Sequence, residues 1–162
     1  MPWSQARFLH SALRWVLVAF PILFAGCHTP NGAPLFTATG PGWHVREGQA
    51  LWRPGRRFPE LGGELLVASH DDGRCLVQFT KTPLPLVLAQ TTRTNWFIGF
   101  PPRRMSFAGR QPPPKRFAWL YLPAALAGQP LPAPLKFEPK PEGRWRLENT
   151  RSGETVEGFL AP

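Results

Sequence analysis

The stretch Glu64-Leu65-Leu66-Val67-Ala68-Ser69-His70-Asp71-Asp72-Gly73-Arg74-Cys75-Leu76-Val77-Gln78-Phe79-Thr80 decides the fold class. Two β-prone runs flank Asp72-Gly73, and an Asp-Gly pair in that position marks a hairpin, because its tight turn needs positive φ. Pairing outward from a two-residue turn sets Ala68 opposite Val77 and Leu66 opposite Phe79. Leu66, Ala68, Cys75, Val77 and Phe79 then share one face. The other face carries Leu65, Val67, Ser69, Leu76, Gln78 and Thr80, a mixed set, so both faces are expected to be partly covered. A sheet curled around a lumen has that property.

Further strands follow on either side. In Leu84-Pro85-Leu86-Val87-Leu88-Ala89-Gln90 the leucines alternate, and Pro85 confines the run to an edge or a strand start. Asn95 to Phe100 puts Trp96, Ile98 and Phe100 on one side, and Pro101-Pro102 stops it. Upstream, Gln49 to Trp52 reads as a strand before a Pro54-Gly55 turn. Downstream, Gly143–Asn149 and Glu154–Leu160 form a second hairpin over Thr150–Gly153, with apolar residues alternating with charges. One helix is expected, with Pro123 in its first turn and Gly128 at its end. Gln129 to Pro134 reads as extended linker. With 21 Pro and 15 Gly among 162 residues, the chain is poorly suited to a helical bundle. The prediction is a mainly β protein, an antiparallel curved sheet or unclosed half-barrel with one short helix, formed by a single domain over residues 43–162.

The first residues read differently. Arg7 and Arg14 precede an apolar run from Trp15 to Ala25 with no acidic residue, and Gly26-Cys27 follows. A basic start, a short apolar core and small residues before a cut describe a secretory signal peptide over residues 1–26. Phe24-Ala25-Gly26-Cys27 resembles the lipobox of bacterial lipoproteins, with Phe24 where Leu is usual. The resemblance implies acylation of the Cys27 thiol, cleavage before it, and a membrane held through lipid without a spanning helix. His28, rather than Asp, after the cysteine implies the outer membrane, periplasmic face. Residues 27–42, rich in Pro and Gly, read as a tether. If Cys27 is acylated, Cys75 is a lone thiol.

Chemistry is sparse. The histidines show no metal-ligand spacing, Ser69 and Ser106 lack a nucleophile-elbow context, and no phosphate loop is present. The reading is a non-enzyme with no cofactor. Nineteen Lys and Arg against ten Asp and Glu give +9. The basic residues cluster beside proline turns as Arg53, Arg56 and Arg57, then Arg103 and Arg104, then Lys115 and Arg116. Were these turns to meet at one end of the sheet, they would form a rim for anionic headgroups. Nucleic acid is a poor partner for an exported chain. The candidate apolar groove comprises Leu66, Val77, Phe79 and Leu86, with Leu88, Trp96, Ile98 and Phe100.

The order of elements resembles the lipoprotein-localisation factors, a periplasmic carrier and its outer-membrane receptor. The residues that carry the likeness are the lipobox and tether, Gly62-Gly63-Glu64-Leu65-Leu66-Val67 leading through Asp72-Gly73, then Leu84–Leu88, Trp96–Phe100, and Leu122-Pro123 through Leu126, Gly128 and Pro130-Leu131-Pro132. The resemblance implies an unclosed antiparallel barrel with a helical lid, holding acyl chains or lipid-modified cargo on its concave side. The alternative is a structural lipoprotein that docks a partner in an envelope assembly or export system.

Overall fold

A computed structural model of the chain describes residues 34–161. The expected signal peptide, Cys27, His28 and the first part of the expected tether lie outside the described residues.

The central hairpin is present, with strand β2 (Leu61–His70) antiparallel to β3 (Cys75–Lys81). Its turn is longer by one residue than expected. The His70 amide donates to Arg74 O at 2.8 Å, and the Gly73 amide donates to His70 O at 2.9 Å, with Gly73 at φ 88°. Asp71-Asp72-Gly73 is therefore a three-residue loop that ends in a left-handed glycine. A single extra residue flips one strand relative to the other. Val67 now faces Val77 and Leu65 faces Phe79. Leu65, Val67, Val77 and Phe79 form the inner face, while Leu66 is turned to the outside, a correction to the expected pairing.

Around the hairpin, β1 (Trp43–Arg53) pairs with β2, and β4 (Leu84–Thr91), β5 (Asn95–Phe100) and β6 (Met105–Arg110) continue as a meander. A second meander, β7 (Leu135–Pro139), β8 (Arg144–Asn149) and β9 (Glu154–Leu160), joins β1 through β9. The order across the single sheet is β6-β5-β4-β3-β2-β1-β9-β8-β7, so β6 and β7 are the two edges and the sheet is unclosed. Strands β6 and β7 were not anticipated from sequence, and β1 begins six residues before the run expected for it.

The segment between the two edges supplies the helix. A 3₁₀ turn, Ala118–Tyr121, runs into α1, Leu122–Leu126, with Pro123 in the first turn and Gly128 at φ 70° beyond the end. The 3₁₀ turn touches both β4 and β8, which stand five places apart in the sheet. Laid flat, those strands would be about 24 Å apart, wider than a helix of about 10–12 Å can bridge. The sheet is therefore rolled around it. Trp119 is fully buried in the roll, 5.7 Å from the Trp52 ring and 5.3 Å from Phe79. The roll bends tightly at the row Gly63–Ala50–Gly158, where a Cβ on Gly63 would fall 2.5 Å from Thr80 O. Only glycine allows that approach.

Both faces are covered in part, as the mixed hairpin pattern predicted. On the outside, Ala68, Leu76, Gln90 and Phe97 form one buried row across β2 to β5. The Leu35 amide donates to Gln90 Oε1 and Gln90 Nε2 donates to Phe36 O, each at 2.6 Å, so the chain ahead of β1 is clamped against that row.

Candidate functional site

Strand register divides the roll into two ends. β1 starts at Trp43, paired with His70 beside the β2–β3 turn, and finishes at Arg53, paired with Thr155 beside the β8–β9 turn. At the first end a cleft of about 680 Å³ opens between the concave face and the lid segment. Its sheet wall is built from inward positions of β1 to β4: His44 and Arg46, Val67 and Ser69, Cys75, and Thr91. Its lid wall is mostly aliphatic, with Leu120, Pro123, Ala124, Leu126 and Ala127 closed by Pro130 and Pro132, and Tyr121, Gln111 and Gln129 add polar groups to it. Below Val67 and Leu120 the interior is solid, because Val77, Phe79, Ile98 and Trp119 are all fully buried.

No Asp or Glu lines this cleft. His44 Nε2 lies 2.8 Å from Asp71 Oδ1 and His70 Nδ1 2.9 Å from Asp72 Oδ1, so both imidazoles are paired at the hairpin tip. Arg74 also holds Asp72 and stacks over the Phe36 and Trp43 rings. The Arg74 backbone amide, with the Arg74 and His70 side chains, keeps the Asp72 carboxyl below its ordinary value. Arg46 has no carboxylate partner among the described residues. Cys75 is a free thiol, half-buried, and burial pushes its pKa up, so it is a poor nucleophile.

The residues expected to line a groove fall in three places. Val77, Phe79, Trp96 and Ile98 do face inward but are packed into the core, with Phe100 and Leu86 partly buried against it. Leu66 and Leu88 lie on the outer face, paired with Gln78 from either side. On β4 the fully buried inward residues are Val87 and Ala89, 0% and 2% exposed, while Leu86 packs only partly against the core and Leu88 faces out; the register shifts at Phe79/Thr80. The cleft itself was missed. The signal that would have found it is the even-numbered series His44, Arg46, Gly48, Ala50, Trp52 on a longer β1, facing the proline-flanked helix.

The topology puts the basic turns at one end of the sheet. Arg53, Arg56 and Arg57 occupy the β1–β2 connection and Arg103 and Arg104 the β5–β6 turn, all at the end opposite the cleft. The Lys115 carbonyl accepts from Asn149 Nδ2 at 3.0 Å at the end of β8, and Arg116 beside it lies over the Phe107 and Phe117 rings. Arg151 joins them from the β8–β9 turn. Glu60 lies 3.8 Å from Arg53. The other carboxylate of that region, Glu154, is buried inside the roll, where it accepts from Trp52 Nε1 at 3.0 Å. Burial raises its pKa to about 7, against the Trp52 and Ala118 hydrogen bonds.

A second hollow, about 580 Å³, lies at the tight bend. Leu51, Phe159, Glu64 and Glu157, whose parity is opposite to that of Trp52 and Val156, place it on the outer face. Glu157 is half-buried there between Lys140 and Arg146; burial alone would raise its pKa, and the two cations more than offset this, holding it below the ordinary value. No protein-family model matches the chain, and no curated protein matches it in sequence.

Proposed function

We propose that this protein is a lipid-anchored, periplasm-facing lipoprotein of the outer membrane that holds an acyl chain or lipid-modified cargo in the cleft under its lid, without catalysis. The observation that carries this reading is the cleft of about 680 Å³ with a mostly aliphatic lid wall and an open mouth, within the range of small-molecule sites. The lipobox-like Phe24–Cys27 supports the anchor, and the unclosed sheet with a helix over its concave side is what the resemblance to lipoprotein-localisation factors implies. The basic pole supports contact with an anionic, phosphate-bearing surface on the far side from the mouth.

Native mass spectrometry of the protein isolated without detergent tests the reading. A co-purified lipid mass, lost when Ala124→Trp fills the lid wall, is the expected result; bare polypeptide together with a discrete protein partner would overturn it. For the anchor, Cys27→Ser should move the protein out of the membrane fraction. If that variant still sediments with membranes, the lipoprotein reading fails.

A second reading has its own observation. Leu51 and Phe159, 49% and 41% exposed, stand together at the outer hollow, on the neighbouring interior strands β1 and β9. Exposed apolar side chains in a hollow suit a protein partner in an envelope assembly. Leu51→Asp with Phe159→Asp would abolish that docking and leave lipid occupancy unchanged.

A further inference from the structure

We infer that the cleft selects a single-chain amphiphile with an anionic head, and that Arg46 is the residue that reads the head; this rests on the acyl-binding reading above. The two walls differ in chemistry. The lid offers Leu120, Pro123, Ala124 and Leu126, which suit a hydrocarbon chain, whereas the sheet wall offers Arg46, Ser69 and Thr91.

Charge on the sheet wall is one-sided. The two histidines are paired to Asp71 and Asp72, and Arg46 faces the cleft opposite Val67 with no carboxylate lining the space. A guanidinium with no protein counter-charge, set over an apolar floor, presents a forked donor to carboxylate or phosphate oxygens. Ser69 on the adjacent strand and Thr91, three strands away on β4, add hydroxyls to the same wall. A cationic head would meet repulsion there, and a neutral one would leave the guanidinium unmatched.

Size limits the tail. A cavity of about 150 Å³ takes one benzene, about 25 Å³ per carbon. At that rate, about 680 Å³ corresponds to about 27 non-hydrogen atoms, room for one chain of roughly 16 to 18 carbons with its head group and too little for the more than about 40 of a diacyl phospholipid with two such chains. A free fatty acid and a lysophospholipid both meet these terms, sharing one chain and one anionic head; a diacyl phospholipid does not.

The test uses the full chain carrying Cys27→Ser, so that Cys75, inside the cleft, is the only thiol. Dodecanoate, dodecyl maltoside and dodecyltrimethylammonium are titrated below their micelle concentrations. Calorimetry gives affinity, and the rate of Cys75 alkylation gives occupancy. Dodecanoate should bind and slow alkylation, and Arg46→Gln should weaken it by about tenfold or more, as loss of a charge-assisted contact does. The other two should bind more weakly and ignore Arg46→Gln. A lysophosphatidic acid arm distinguishes a phosphate head from a carboxylate by their relative affinity, and dilauroyl phosphatidic acid should fail to protect the thiol. Equal binding of all three dodecyl heads, or no effect of Arg46→Gln on dodecanoate, overturns the head-group inference while acyl binding stands. If no amphiphile binds or protects Cys75, the acyl-binding reading falls as well.

Discussion

Glu154 sits where strand, indole and lid meet, and its carboxyl binds a proton up to about pH 7 in the fold, against an ordinary value of 4.5. Between those two pH values the folded chain holds more protons than the unfolded chain, so stability falls as pH rises through that window to about 7 and is greatest on the acid side. A rise from 4.5 to about 7 corresponds to on the order of 3 kcal/mol. Glu154→Gln keeps the shape and an acceptor for Trp52 while removing the charge. Melting temperatures measured from pH 5 to pH 9 should decline for the native chain and stay flat for the variant, which should be the more stable above neutrality. A parallel decline in both would show that another group is responsible. Trp119 is the complementary case. Its indole nitrogen finds no acceptor among the described residues, so packing against Trp52 and Phe79 is what holds it. Trp119→Ala should cost about 3–5 kcal/mol in denaturant unfolding, and Trp119→Phe clearly less.

The β2–β3 hairpin shows how far the sequence can be read at the level of an element. Asp72-Gly73 announces a turn whichever loop forms, because both a two-residue and a three-residue loop put the glycine at positive φ. The pair does not say whether Asp71 belongs to the loop or to the strand. That one residue assigns β2 its inward side, so Val77 and Phe79 were placed correctly and Leu66 was not. On β4 alternation of the leucines reads as the inner face, whereas the tightly rolled interior takes the smaller Val87 and Ala89. A Cβ on Gly73 would meet only the Arg93 side chain, at 3.5 Å, so Gly73→Ala should cost the backbone term alone. About 1 kcal/mol of destabilisation is expected from thermal melts, with Gly73→Asn milder. A much larger loss would mean that the turn is crowded. The helix was legible because Pro123 and Gly128 punctuate it. Its role as one wall of a cleft was not, because that depends on which distant strands it bridges.

For the whole molecule, the topology sorts charge by end. Alternate connections of an antiparallel meander fall at the same pole, and β1–β2, β5–β6 and β8–β9 carry Arg56, Arg57, Arg103, Arg104 and Arg151 to one of them, while the cleft pole receives Arg74, which is held by Asp72, and Arg93. Proline-flanked arginine clusters were visible in the sequence; their convergence required knowing the strand count between them. The full chain with Cys27→Ser should associate with phosphatidylglycerol vesicles and not with phosphatidylcholine. That association should weaken as ionic strength rises from about 0.01 M to about 0.1 M, where the screening length drops from about 30 Å to about 10 Å. Replacing Arg56, Arg57, Arg103 and Arg104 with Glu should abolish vesicle flotation without changing the melting temperature by more than about 2 °C, surface substitutions being small in stability. Undiminished flotation of that variant would show that the pole is not the contact.

The clamp of Leu35 and Phe36 on Gln90 determines the bearing of the body. Gln90 is one residue from the Cys75–Thr91 pair, so the leader arrives on the flank of the roll just below the opening. Residues 35 and 36 thus brace the outer flank of the strand whose next residue, Thr91, lines the mouth, so loosening that clamp should be felt first at the rim of the cleft and last at the arginine-rich pole.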